Sequence, residues 1–291
     1  MNSASDFYTD DWLILPNDTR HDNFDDNSST RKACAQDLPM SDLLPLLREP
    51  ETLAPLHATA NGLCFANGRM VPTIGQRIAL LPSFLADRLT DDGFMFEPDD
   101  IKAPGYHYGL ISDMKAKGDN TNLDPNDFWY LRHCNRARYA FDAIDGIVLD
   151  IGCGNPSISK QVMPATARYI GLEPGPMASS NFSICGIAET LPFKDACLDA
   201  VVFNTSLDHI LDEHTATEEA WRVLKPGGSI YVSILIWHQR ASLLYDNAHF
   251  HHFRQWEIQS LLSRFQVECF MKVDWKGNDN RYGVYIGARK P

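Results

Sequence analysis

Cysteine pairs, long apolar runs and an excess of positive charge are all missing from this chain, and each absence narrows what it can be. Its seven cysteines stand at irregular spacings with no CxxC pair, so neither a disulfide framework nor a zinc site is legible. No segment reaches the ~20 apolar residues that a membrane-spanning helix needs. Met1 to Asp11 carry neither the basic stretch nor the apolar stretch of a secretory leader. Unpaired thiols without a leader give the expectation of a cytoplasmic protein with no membrane partner. Lys and Arg number 26 against 38 Asp and Glu, a formal charge of −12. Neutralising phosphates takes clustered Lys and Arg, and no such cluster is visible, so nucleic acid is not an expected partner. A small or medium molecule, or a group carried by a partner, is.

What is present suffices for a proper core: 44% of the residues are apolar and 11% aromatic, the composition of a globular chain. Residues 1–39 are the exception. Rich in Asp, Asn, Ser and Thr, including Asp22-Asn23-Phe24-Asp25-Asp26-Asn27, they offer too little apolar surface to offset ordering, and a mobile acidic arm is expected. Residues 40–90 form a small module. Leu43, Leu44, Leu46 and Leu47 suggest a short amphipathic helix, and Gly62 to Phe65, the turn Ala66-Asn67-Gly68 and Arg69 to Pro72 read as a hairpin, since Asn-Gly tolerates positive φ. Residues 91–141 read as a loop-rich linker with breakers at Pro104-Gly105 and Gly118-Asp119-Asn120, then a helical cap from Phe128. Residues 142–291 form the main domain.

The chemistry begins in that domain. Gly146-Ile147-Val148-Leu149-Asp150-Ile151 has the continuous apolar character of a strand buried on both faces. It opens into Gly152-Cys153-Gly154-Asn155-Pro156, where glycines let a backbone approach a ligand closely and Pro156 suits the first turn of a helix. A second strand, Arg168 to Leu172, ends in Glu173, where a carboxylate can accept hydrogen bonds from both hydroxyls of a ribose. Further on come Ile184-Cys185-Gly186-Ile187-Ala188-Glu189-Thr190-Leu191-Pro192-Phe193, then Leu198-Asp199-Ala200-Val201-Val202-Phe203, then Arg222-Val223-Leu224-Lys225-Pro226-Gly227-Gly228. Near the end, Gln266 to Val273 and Tyr282 to Ala288 flank a turn at Lys276 to Asn280 and read as an antiparallel pair.

These segments, in this order, resemble the class I methyltransferases of the UbiE-like (Methyltransf_11) group. The resemblance implies an α/β fold: a doubly wound, mostly parallel, seven-stranded Rossmann-like sheet closed by an antiparallel C-terminal hairpin, with the small N-terminal module beside it. It implies S-adenosylmethionine as cofactor. Asp150, Gly152, Cys153 and Gly154 would hold its methionine end; Glu173, followed by Pro174, would bind the ribose; Ile187, Ala188 and Glu189 would face the adenine. Asn204 would lie under the methionine portion near the sulfonium. Two positions depart from the group's pattern: Pro156 replaces a third glycine, and Ile187 replaces an acid before the alanine. The module ending Val71 to Pro82 resembles the Trm112-like zinc-ribbon module that precedes some bacterial methyltransferase domains, but with Cys64 alone near a cysteine-pair position, no zinc is expected.

A methyl acceptor that is a hydroxyl or a protonated amine must lose a proton, so a base belongs near the ends of the fourth and fifth strands. Two clusters qualify. Asp208 and His209 follow the fourth strand, where His209 could act as base or simply cap a turn. His249, Phe250, His251, His252 and Phe253 precede the last helix, and the resemblance there is to relatives that methylate surface sugars and similar small molecules; His251 and His252 are the candidates. A metal on Asp208, His209 and one of these histidines is chemically sensible but not the expectation. Cys153 and Cys185 read as packing residues, because buried thiols are generally inert. The expected function is methylation of an O or N atom of a small-molecule acceptor, a sugar or natural-product intermediate. The competing reading is a catalytically silent scaffold of the same fold, to which Ile187 and Pro156 would point.

Overall fold

The computed structural model describes residues 34–60, 62–75, 77–90, 93–97, 102, 106, 137–138, 140–154, 156–174, 183–238, 250–274 and 281–291. The centre is one sheet. Its strands β8 (Gly146–Ile151), β9 (Ala167–Leu172), β10 (Ser183–Ile184), β11 (Leu198–Asn204), β12 (Leu224–Trp237), β13 (Gln266–Asp274) and β14 (Arg281–Arg289) lie in the order β10-β9-β8-β11-β12-β14-β13. Pairing is parallel from β10 to β12, and β14 is antiparallel to both β12 and β13. This is the doubly wound sheet with a closing hairpin that the sequence leads one to expect.

Burial on both faces explains why these segments are strands. Successive side chains point to opposite faces: Leu149, Ile151, Ile170, Leu172, Val201 and Phe203 fill one apolar layer, while Val148, Tyr169, Ala200 and Val202 fill the other. Helices Pro156–Val162, Glu213–Val223 and Gln255–Leu261 alternate with the strands. The chain passes from β8 to β9 on one side, and β11 lies on the other side of β8. The crevice outside the C-terminal ends of β8 and β11 is therefore the switch point where such sheets bind ligands.

An eighth strand was not expected. β1 (Gln36–Asp37) pairs in parallel with Arg168 and Tyr169 on the outer edge of β9, while β10 covers only Gly171 and Leu172 of the same edge. A strand edge left half open presents unpaired N–H and C=O groups, and β1 satisfies them. Lys160 reaches Asp37 at 3.0 Å. The last residues of the expected acidic arm are thus docked on the sheet; residues 1–33 lie outside the described residues.

The segment 40–90 is built of small pieces. A one-turn helix, Met40–Leu43, runs into a 3₁₀ turn, Leu44–Leu46. β2 (His57–Thr59) pairs with β3 (Gly62–Cys64), and on the far side of β3 Val71 N–H donates to Leu63 O at 2.8 Å and Phe65 N–H to Arg69 O at 2.8 Å. The Asn67-Gly68 hairpin is present, with one more strand beside it. β4 (Thr73–Ile74) pairs with β5 (Arg77–Ile78), and β6 (Leu89–Thr90) with β7 (Gly93–Phe94), on either side of the short helix Ser83–Ala86. Cys64 lies against Met70, sulfur to sulfur at 3.3 Å, and among the described residues no three His, Cys, Asp or Glu side chains gather as a metal cluster.

This segment does not stand apart. Arg48 N–H donates to Pro192 O at 2.9 Å, Lys194 N–H to Leu46 O at 2.9 Å, Cys185 N–H to Ile78 O at 2.9 Å and Leu80 N–H to Cys185 O at 2.8 Å. Leu47, Phe65, Val71 and Leu80 belong to the same apolar cluster as Phe193, Leu191 and Leu149. Of the expected helical cap, Ala137, Ala140 and Phe141 pack into the second layer; residues 107–136 lie outside the described residues. No helix among the described residues is long and apolar enough to cross a membrane.

Arg222 ties the segment 191–195 to helix Glu213–Val223. Its guanidinium donates to Phe193 O at 2.6 Å, Leu191 O at 2.9 Å, Asp195 Oδ1 at 2.8 Å and Glu219 Oε1 at 2.7 Å. Removing one partner of such a network leaves desolvated acceptors behind, so Arg222→Ala is expected to lower the unfolding free energy by about 2 kcal/mol. Urea unfolding checks this, and Arg222→Lys should recover only part of the loss because an ammonium cannot span the same fork.

Candidate active site

The turn after β8 is shaped by glycine. Gly152 has φ +70°, and a Cβ there would stand 2.5 Å from the Ser206 Cβ, so both conformation and space exclude a side chain. Its N–H donates to Leu172 O at 2.8 Å, and Cys153 N–H follows at 3.2 Å, which pins the turn to the end of β9. Gly154, φ +49°, faces open space: an added Cβ would meet nothing within 4 Å. Its N–H donates to Glu173 Oε2 at 3.1 Å. The ribose candidate and the glycine loop, 19 residues apart, are thus joined directly, with Glu173 only 2% exposed.

Asp150 is placed differently from its neighbours. On β8 it alternates with Leu149 and Ile151, so it faces the layer of Val148 and Tyr169; it has no exposed surface and accepts a hydrogen bond from Tyr169 Oη at 2.7 Å. It stands two residues before Gly152 on the same strand. Burial pushes its carboxyl up to about 7, against the lowering effect of Tyr169 and Ser159. Burial likewise pushes the Tyr169 phenol and the Cys153 thiol up, and the Cys185 thiol to about 12. Cys153 and Cys185 are buried neutral thiols, not nucleophiles.

On the adenine side, Ile187 and Ala188 are 2% and 4% exposed and lead into the 3₁₀ turn Ala188–Thr190. Ile187 packs with Ile74, Ala79 and Leu85 of the N-terminal segment. Glu189 Oε1 accepts from the N–H groups of Leu211 and Asp212, each at 3.2 Å, so this carboxylate anchors the next loop. Pro174 accepts the Cys185 thiol at 3.4 Å through its carbonyl. A charged residue that no motif flagged lies here too: Arg77, 4% exposed, donates to Glu173 O.

At the end of β11, Asn204 Oδ1 accepts from Ser233 Oγ at 2.7 Å, which fixes the plane of its amide. Thr205 then takes φ +56°, a left-handed backbone that a β-branched residue adopts only under constraint; its N–H donates to Ser233 O at 2.9 Å. Sequence gave no sign of this strained position.

The two histidine clusters, some 40 residues apart in sequence, meet. Phe250 N–H and His251 N–H both donate to Asp208 O, at 2.8 and 3.2 Å. His251 Nε2 lies 2.8 Å from Ile210 O, 3.2 Å from Leu211 O and 3.0 Å from Glu213 Oε2, so this ring joins the two loops. The His252 ring meets Trp237 edge to face with centroids 4.7 Å apart. His209 Nε2 stands 3.9 Å from Asp208 Oδ1 with a quarter of its side chain exposed. His249 lies outside the described residues.

The Asp150 carboxyl yields a pH prediction. Its pKa rises from 3.8 to about 7 on folding, so between those values the folded chain holds a proton that the unfolded chain has released, and stability falls as pH rises through that window. Asp150→Asn removes the ionisation. Relative to the wild type, the variant should gain about 1.4 kcal/mol per pH unit across that range when urea unfolding is followed against pH; parallel profiles would contradict the assignment.

The residues at this crevice fit an adenosine-type cofactor: a bare glycine turn with open space above Gly154, a buried carboxylate beside it, and an apolar wall at Ile187 and Ala188. Residues 149–232 match the family described as Methyltransferase domain. An uncharacterized methyltransferase of Mycobacterium leprae is 31% identical over 135 residues, 42% of this chain and 47% of the relative. The mitochondrial ubiquinone biosynthesis O-methyltransferase of Rattus norvegicus is 26% identical over 102 residues, 30% of each chain. The crystal structure of Burkholderia thailandensis 1,6-didemethyltoxoflavin-N1-methyltransferase with bound 1,6-didemethyltoxoflavin and S-adenosylhomocysteine aligns at a TM-score of 0.49 with 18% identity, over 68% of this chain and 92% of that one. The matched region spans about half the length, or less, of these curated relatives. The sheet order and the glycine turn with its partner carboxylate frame the matched residues 149–232, so this part of the chain is similar to a methyltransferase domain.

Proposed function

We propose that the chain, acting in the cytoplasm, transfers a methyl group from S-adenosylmethionine to an O or N atom of a small-molecule acceptor, a sugar or natural-product intermediate. The observation that carries this reading is the Glu173 carboxylate, 2% exposed and held against the Gly154 amide. A buried acid beside the open side of Gly154 is matched to a pair of ribose hydroxyls. No disulfide joins the six described cysteines, which supports a reducing compartment. A curated relative named as an O-methyltransferase supports an oxygen acceptor.

Bound S-adenosylmethionine supplies an activated methyl group, so the chain's own task is alignment and proton removal. Glu173 would hold the ribose, and Ile187 and Ala188 would pack on the adenine. The turn Gly152-Cys153-Gly154, pinned by its amides to Leu172 O and the Glu173 carboxylate and open beside Gly154, would face the methionine end, with Asp150 just before it. Asn204, at the end of β11, would lie near the same end. His209, partly exposed and 3.9 Å from Asp208 Oδ1, would take the acceptor's proton, the carboxylate favouring the imidazolium that forms. His251, engaged with two carbonyls and Glu213, would hold the acceptor-side loops together.

A scaffold without activity is the competing reading, and one observation favours it: Glu189, the acid nearest the adenine wall, is engaged with the Leu211 and Asp212 amides. Calorimetric titration with S-adenosylmethionine and S-adenosylhomocysteine separates the two. Micromolar binding by the wild type, weakened at least tenfold in Glu173→Ala, is the expected result. No binding by the wild type at millimolar ligand would sink the enzyme reading and favour the scaffold.

A further inference from the structure

The segment 77–80, which belongs to the N-terminal module, runs behind the part of the sheet that would hold adenosine. β9 and β10 share their last ladder bond where Glu173 N–H donates to Ile184 O at 3.0 Å; beyond it the two strands part. Arg77 Nη2 donates to Glu173 O and reaches Ile184 O at 3.4 Å. The guanidinium therefore grips the carbonyls at the two strand ends where the ladder stops. Glu173 is held on both sides of its Cα, by the ladder through its N–H and by Arg77 through its C=O. One residue after Ile184, Cys185 is fixed by Ile78 O and Leu80 N–H at 2.9 and 2.8 Å. Gly186 is packed so closely that a Cβ there would stand 3.2 Å from Leu80 O. Ile187 and Ala188 follow directly.

Burying a guanidinium is unfavourable unless its donors are satisfied and its placement is enforced. At 4% exposed, Arg77 is an unusual choice for a short β-turn segment whose other contacts are main-chain and apolar. Both carbonyls are reached by the one nitrogen Nη2, whose direction the planar guanidinium fixes, whereas an ammonium on a flexible stem is a point donor without that orientation. We infer that Arg77 is a positioning residue for the cofactor's ribose: from the N-terminal module it fixes the backbone of Glu173, and so the direction of its carboxylate. The inference rests on the cofactor reading above, and it makes the module a component of the adenosine site.

The test uses the full chain, its Arg77→Met and Arg77→Lys variants, and two ligands followed by calorimetry, S-adenosylhomocysteine and its 2′-deoxy analogue. A carboxylate aimed at both hydroxyls makes the wild type prefer the ribose ligand by tenfold or more. Arg77→Met should cut that preference below threefold, mainly by weakening S-adenosylhomocysteine, with Arg77→Lys in between; thermal unfolding reports whether each variant is folded. If Arg77→Met does not fold, the selectivity of Arg77→Lys decides. Variants that lose affinity equally for both ligands, or that keep the full preference, overturn the positioning role while the cofactor reading stands. A wild type that binds neither ligand overturns both.

Discussion

The hydrogen bond from the Gly154 amide to the Glu173 carboxylate is the contact on which the site depends. A parallel sheet exposes its ligand-facing groups only where its strands end, and neighbouring strands end in separate loops. Here the ends of β8 and β9 are tied to each other by that bond at 3.1 Å and by the Gly152 and Cys153 amides on Leu172 O. The tie requires a backbone free to take positive φ at Gly152 and Gly154, an acid at the first position after β9, and Asp150 kept buried just before the turn. Each requirement falls on a different residue, and each is met.

Support for this contact comes from outside the sheet. The N-terminal module adds backbone hydrogen bonds along residues 185–194, and its leucines enter the same apolar layer as Leu149 and Phe193. The acceptor side is built by the same logic. The loops after β11 and before helix Gln255–Leu261 are zipped by Asp208 O and by the His251 ring. The turn proposed to face the adenine and the loop proposed to face the acceptor are then linked through Glu189, which binds the amides of Leu211 and Asp212.

The sheet was legible in the sequence because short, largely apolar runs such as Val148 to Ile151 and Leu198 to Phe203, each broken by one aspartate, suit strands buried on both faces, and the turn glycines and Glu173 stand at fixed offsets from them. The Asn67-Gly68 turn was legible because its conformation is local. What escaped is what depends on long-range contact. Nothing near Arg77 announces that it will be buried against Glu173, 96 positions away. Gln36 and Asp37 are polar and gain a strand only because β10 leaves half of the β9 edge open. Asp150 faces inward because of its place in the β8 alternation, which the motif alone does not express. His251 is a candidate base by sequence, and its ring lies at Ile210 O, Leu211 O and Glu213, partners that sequence spacing cannot supply.

The most direct measurement is a crystal structure of the chain grown with S-adenosylhomocysteine. The account predicts ligand density in the crevice beyond β8 and β11, both ribose hydroxyls on the Glu173 carboxylate and the adenine against Ile187 and Ala188. A ligand bound with its ribose away from Glu173, or a crevice that stays empty at saturating ligand, would contradict it.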